Sequence, residues 1–265
     1  MCGIAGYSLS ASSTLERTLA AQALLAGIAE RGADAVGYAH RSPGEPVSVH
    51  KQLSGASALL DEIRVPGSAT EVLVHVRDYT KGHPTVAANN HPIRHGSVVG
   101  VHNGVIFNDD ELLAAHECAR CEPGMTVDSE AIFAVVAHSD GDAEALEALR
   151  GSMATAWIDE RRNQSLCVAR GVDRPVWLGV GKAETFFAST ELALEVVERY
   201  LGMKLKKSEL AEGTLVELVQ GRQKSRKRFN PDREFEEAPL PAVRAPNERA
   251  SCLKRLATIV ATAGY

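Results

Sequence analysis

Strand-like segments recur from residue 3 to residue 219, and few helical stretches interrupt them. Residues 3–8 alternate Ile4 and Tyr7 among small residues and read as a buried strand directly behind Cys2. Further runs at 37–40, 47–51, 72–76, 97–101, 153–159, 165–169, 176–180, 185–188 and 214–219 have strand length and composition. Helical spacing is confined to 14–30, 109–118, 131–138 and 191–200. In the first of these Leu15, Leu19, Ala23, Leu24 and Ile28 recur at helical intervals, with Ser12 or Ser13 as the expected cap. Asp128 or Ser129 opens the third. Many strands with few long helices predict layered sheets covered by helices, an α+β chain, because each apolar sheet face has to be buried against another layer.

Past residue 222 the pattern changes. The stretch 230–246 is charged and carries Pro231, Pro239, Pro241 and Pro246, which suits an extended arm rather than a sheet strand. Asn247 then caps a last amphipathic stretch, 248–261, with Leu253, Leu256, Ile259 and Val260 on one side. The expected organisation is a domain over 2–222 and a charged, proline-rich tail over 223–265. The tail helix either packs on that domain or docks on a partner.

Composition removes several function classes. With 45% hydrophobic and 24% charged residues, the 265-residue chain is neither disordered nor too short for a sizeable core. A net charge of -5 gives no general attraction for nucleic acid or an anionic membrane, and the basic run 222–228 reads as a solvated hairpin or tail. No apolar run approaches the roughly 18 residues that span a bilayer, and no secretory leader precedes Cys2. The five cysteines, Cys2, Cys118, Cys121, Cys167 and Cys252, are odd in number and irregularly spaced, which suits a reducing, cytoplasmic compartment. Cys118 and Cys121 have CxxC spacing without a second pair, and His75, His91, His95 and His102 look hydrogen-bonded rather than ligating. Neither a metal nor a cofactor is expected.

Cys2 follows the initiator methionine, which is usually trimmed before a small residue. The freed α-amine would titrate near about pH 8, so a single residue could supply both nucleophile and base. A second-position cysteine alone is more often incidental. Here, however, Met1-Cys2-Gly3-Ile4-Ala5-Gly6 is followed in order by Arg31-Gly32-Ala33-Asp34-Ala35-Val36-Gly37, His75-Val76-Arg77-Asp78-Tyr79-Thr80-Lys81-Gly82, Asn90-His91-Pro92, His102-Asn103-Gly104 and Asp128-Ser129-Glu130. Ala169-Arg170, Arg174-Pro175, Phe187-Ala188-Ser189 and Glu212-Gly213 continue the series. The chain resembles the class II glutamine amidotransferases over about residues 2–220, notably the glutaminase domain of glucosamine-6-phosphate synthase.

The resemblance implies the four-layer αββα N-terminal-nucleophile fold and hydrolysis of L-glutamine through a glutamyl thioester on Cys2. It implies an oxyanion hole from the Asn103 side chain and the Gly104 backbone N–H. It assigns Arg77 to the glutamine α-carboxylate, with Thr80 beside it, and Asp128 to the α-ammonium. Arg31 and Asp34 would support the site from a flanking turn. Each residue also has a plainer use: a turn for Asn103-Gly104, a surface salt bridge for Arg77, a helix cap for Asp128. Lys81 stands where the sugar-synthase branch usually has histidine, Asp78 replaces a bulky aromatic, and the loop before Asn90 is one residue longer. Ammonia would pass to a synthase partner, expected as a separate chain because 223–265 is too short for one. The rival expectations are a stand-alone γ-glutamyl amidohydrolase and a non-catalytic glutamine-sensing subunit.

Overall fold

The computed structural model describes residues 1–263. In chain order the elements are β1 (Gly3–Leu9), α1 (Arg17–Ile28), β2 (Ala35–Arg41), β3 (Ser48–Gln52), α2 (Ala56–Leu59), β4 (Glu71–Arg77), β5 (Ile93–His95), β6 (Val98–Ile106), α3 (Asp109–Ala115), α4 (Ser129–His138), β7 (Gly151–Asp159), β8 (Ser165–Arg170), β9 (Trp177–Val180), β10 (Glu184–Ala188), α5 (Glu191–Leu201), β11 (Lys206–Glu209), β12 (Thr214–Val219), β13 (Arg222–Arg228) and α6 (Pro246–Ala263). One sheet has the order β11-β9-β10-β1-β4-β2-β3 and the other β13-β12-β8-β7-β6-β5, with antiparallel pairing throughout the named strands.

Three apolar clusters define the layers. Ile4, Leu73, Val99, Val101, Ala154, Val168 and Phe187 meet between the two sheets. The opposite faces of the first sheet, with Tyr7, Val72, Val74 and Phe186, lie under α1, α2, α5 and α6. The second sheet presents Trp157, Ala169 and Leu215 to α3 and α4. Helices, sheet, sheet, helices is the αββα sandwich, and alternation along each strand supplies its two buried faces. Helix α1 is buried on nearly every side, because the first sheet lies on one flank and α5 and α6 close the others.

Several local expectations change. The α1 cap is Glu16, whose carboxylate accepts from the amides of Thr18 and Leu19, while Ser13 instead donates to Glu184 at 2.8 Å. Helix α3 stops at Ala115 because Glu117 turns to φ +53° and the Cys118 amide closes back on Leu113. The basic run forms β13, an edge strand paired with β12, so the second sheet runs on to Arg228, past residue 222. Between β13 and α6 the chain has no regular element.

The tail helix folds back on its own domain. Cys252 and Leu256 are fully buried in the cluster beneath α1, and Glu248 accepts from the Ser57 amide at 2.8 Å, capping α2. Arg249 pairs with Glu30 at 3.0 Å. Among the described residues, no helix is long and apolar enough to cross a membrane.

Candidate active site

Strand β1 lies between β10 and β4, and its register with β4 sets Gly3 opposite Val76, which leaves Cys2 beside Arg77 and Asp78. The Cys2 thiol donates to the Asp78 carbonyl at 3.4 Å, and Arg31 Nε donates to the Cys2 carbonyl at 2.8 Å. Ser189 Oγ accepts from the Ile4 amide at 2.9 Å. The Arg31–Asp34 turn is fastened to the end of β4, with the Asp34 amide on the Arg77 carbonyl at 3.0 Å and its carboxylate on the Tyr79 amide at 2.9 Å. The backbone carrying the thiol is thus held by three separate segments. Burial pushes the Cys2 thiol up, against the opposing pull of its backbone hydrogen bond, the N-terminal ammonium and Arg77. The thiol is therefore the resting form near neutrality, and attack needs a proton acceptor close by.

Asn103 and Gly104 sit inside β6, opposite Ala154 and Met153 of β7, so the dipeptide is strand and not turn. Gly104 has φ +146°, and a Cβ there would lie 1.9 Å from the Ser152 carbonyl oxygen, so only glycine fits. Asn103 is fully buried, yet neither its Nδ2 nor its Oδ1 has a hydrogen-bond partner. Buried polar groups are nearly always paired, so an unpaired amide beside a cavity is an available donor.

Arg77 is 2% exposed, not a surface salt bridge. Its Nη1 donates to Asn90 Oδ1 at 2.5 Å and its Nη2 to the carbonyls of Lys81, at 2.9 Å, and Gly82. Asp128 occupies the residue before α4, but its carboxylate turns away from its own helix and accepts from the Ile106 amide at 2.7 Å. Burial, partly offset by that hydrogen bond, pushes its carboxyl up to about 6. Thr80 is exposed on the loop after β4. Lys81 turns to Asp109, with Nζ 2.6 Å from Oδ1, and that pairing lifts its pKa against the cost of burial.

Two small cavities, each of about 10 Å³, share Cys2, Thr80 and Gly104. One continues to Arg77 and Asp128; the other is walled by Asn103, Arg174, Glu237 and Leu240. Sequence reasoning placed Cys2, Arg77, Thr80, Asn103, Gly104 and Asp128 at one site, and all six line this pair of cavities. It did not place Arg174, Glu237 or Leu240 there. Arg174 belongs to a quoted motif; Glu237 and Leu240 lie in a charged, proline-rich stretch with no periodicity to mark them.

His75 and His102 tie neighbouring elements together in their neutral form. His75 Nε2 donates to the His102 carbonyl at 3.1 Å, and His102 bonds Ser129 Oγ at 2.9 Å; burial lowers both rings to about 3. His91 differs: both of its ring nitrogens lack partners, and it stacks on His75 at 4.1 Å. Away from the site, His95, Cys121 and Glu130 bring their donor atoms within 4.8 Å of one another. Arg120 bonds the other carboxylate oxygen of Glu130, at 3.3 Å.

Residues 70–196 match the family model of a glutamine amidotransferase domain. The glutamine–fructose-6-phosphate aminotransferase (isomerizing) of Vibrio parahaemolyticus is 30% identical over 228 residues, covering 81% of this chain and 35% of that protein. The Salmonella typhi protein of the same name is 35% identical over 154 residues, covering 54% of this chain and 24% of its own length. This chain thus spans about a third or less of these relatives. Among solved structures, the glutamine phosphoribosylpyrophosphate amidotransferase of B. subtilis superposes with a TM-score of 0.65 at 18% identity, covering 86% of this chain and 49% of that one. An allosteric regulatory enzyme of purine biosynthesis gives 0.68 at 20% identity with the same coverage. At that identity the two structures establish a shared fold.

Proposed function

We propose that this chain, which carries a class II glutamine amidotransferase domain, hydrolyses L-glutamine to L-glutamate and ammonia through a thioester on Cys2. The observation that carries the reading is that two cavities meeting at the Cys2 thiol and Gly104 bring together an unpaired buried amide at Asn103, on one, and a cation at Arg77 with a carboxyl at Asp128, on the other. After removal of Met1, the Cys2 α-amine accepts the thiol proton as Sγ attacks the carboxamide carbon. Asn103 Nδ2 and the Gly104 N–H receive the negative charge that develops on the oxygen. The α-amine returns the proton to the departing nitrogen, the C–N bond breaks and ammonia leaves. Water then attacks the thioester with the same amine as base, releasing glutamate and restoring the thiol.

Arg77 and Asp128 line the same cavity, where they address the carboxylate and ammonium of a free amino acid. That pairing favours glutamine over a glutaminyl side chain in a protein, which has neither terminus free. Ammonia is passed to an acceptor on a synthase partner, and the protein acts in the cytoplasm. The test is ammonia release from glutamine by the purified protein, with Cys2→Ala as control. Ammonia from the native chain and none from the variant is the expected result; equal release from both removes the proposal.

A further inference from the structure

The stretch between β13 and α6 is fastened to the domain at several points and lends Glu237 and Leu240 to the lining of one cavity beside Cys2. Phe235 packs against Phe107 with ring centroids 5.9 Å apart and the planes tilted by 44°. Glu237 forms an ion pair with Arg174 through one oxygen and accepts from Ser152 Oγ at 2.5 Å through the other. Ser152 is the residue whose carbonyl abuts Gly104, and its Oγ also accepts from the Val105 amide at 3.2 Å. Farther on, Arg244 Nε lies 3.2 Å from Asp78, and the amides of Arg244 and Ala245 both reach the Glu30 carbonyl at 2.9 Å. Helix α6 then clamps the end of the strap against α1.

The location decides what this strap can do. The cavity that runs from Cys2 toward Arg77 and Asp128 holds the charges suited to an amino acid's two termini, so it takes the glutamyl part of a substrate. The other cavity beside Cys2 and Gly104, lined by Asn103, Glu237 and Leu240, is then the space open to the groups on the far side of the carbonyl. Met1 is also among its walls, on the opposite flank of Cys2 in sequence from the strap residues Glu237 and Leu240.

We infer that residues 235–244 form the wall of a leaving-group subsite, and that this strap restricts the enzyme to primary γ-amides whose leaving group is ammonia, excluding γ-glutamyl conjugates of larger amines. This rests on the proposed glutaminase reading for the identity of the substrate, but the closure of the Cys2 pocket by the strap does not. Glu237 and Leu240 are specificity-determining residues that act by occupying space; they take no part in bond making.

The test pairs two readouts on the native chain, Glu237→Ala, which removes the anchor to Arg174 and Ser152, and Leu240→Ala, which thins the wall and keeps the anchor. The first is hydrolysis of glutamine against γ-glutamyl-p-nitroanilide. The native chain should favour glutamine by about a hundredfold or more, and each variant should shift the ratio toward the anilide by about tenfold. The second is the rate at which Cys2 is alkylated by iodoacetamide and by bulky N-phenylmaleimide, read at the Cys2 peptide by mass spectrometry. The variants should speed the bulky reagent selectively. If glutamine is not hydrolysed at all while the bulky reagent is still accelerated, the glutaminase reading fails and the strap stands. If the native chain turns over the anilide as readily as glutamine, or if neither variant changes either ratio, the strap inference is overturned.

Discussion

Strand β4 begins at Glu71 and ends at Arg77, and its two ends show opposite ways of burying charge. At the first end Glu71 accepts two hydrogen bonds from Arg41 of β2, at 2.5 and 2.8 Å, and Arg41 also donates to the Asp159 carbonyl of β7 at 2.9 Å. That cluster joins the two sheets, and both oxygens of its carboxylate are engaged. At the other end Arg77 donates to a loop, Asp128 is held by a single backbone amide, and the Asn103 amide has no partner. The first arrangement is closed and can only hold the sheets together. The second leaves charge and hydrogen-bonding capacity unmet next to a thiol, which is useful only if something else arrives to complete it.

The largest effect expected from this contrast is on stability at the closed end. Glu71→Ala leaves Arg41 buried without its carboxylate, at a cost of about 3–5 kcal/mol, with glutamine turnover in the remaining folded protein unchanged. Denaturant titration alongside a turnover assay checks both halves. Asn103→Ala should do the reverse. It removes an unpaired amide, so stability should change little, while turnover drops by about a hundred- to a thousandfold, the scale of one oxyanion donor. Equal losses of stability in the two variants would erase the distinction between the ends of β4.

A smaller effect follows from Asp128. Its carboxyl, held up at about 6, is protonated below that pH, and a neutral acid cannot pair with glutamine's ammonium. KM for glutamine should therefore rise by about tenfold for each pH unit below about 6, and Asp128→Asn should have a weak but flat profile over that range. A native profile that stays level down to pH 5 would place the ammonium elsewhere.

The site was easier to read in the sequence than the architecture around it. Cys2, Arg77, Gly104 and Asp128 lie in short runs whose order is distinctive, although the backbone angle and Ser152 carbonyl that demand a glycine at 104 appear only in the fold. Strand order is another matter: β1 pairs with β10 and β4, and nothing local to residues 3–9 specifies partners that distant. The edge strands β5 and β11 and the single-turn helix α2 are too short for periodicity to reveal. The α1 cap moved to Glu16 because Ser13 is drawn away by Glu184, a residue of β10. Glu237 was invisible for the same reason: its meaning lies in Arg174 and Ser152, which only the folded chain brings to it.

The account depends most on Cys2 being the nucleophile with its own amine free. The most direct measurement is to react the protein with 6-diazo-5-oxo-norleucine, a glutamine-like electrophile, and locate the adduct by peptide mass spectrometry. The predicted result is a single adduct on an N-terminal peptide that begins at Cys2, Met1 having been removed. Adducts at Cys118, Cys121, Cys167 or Cys252, or an unmodified peptide that retains Met1, would contradict it.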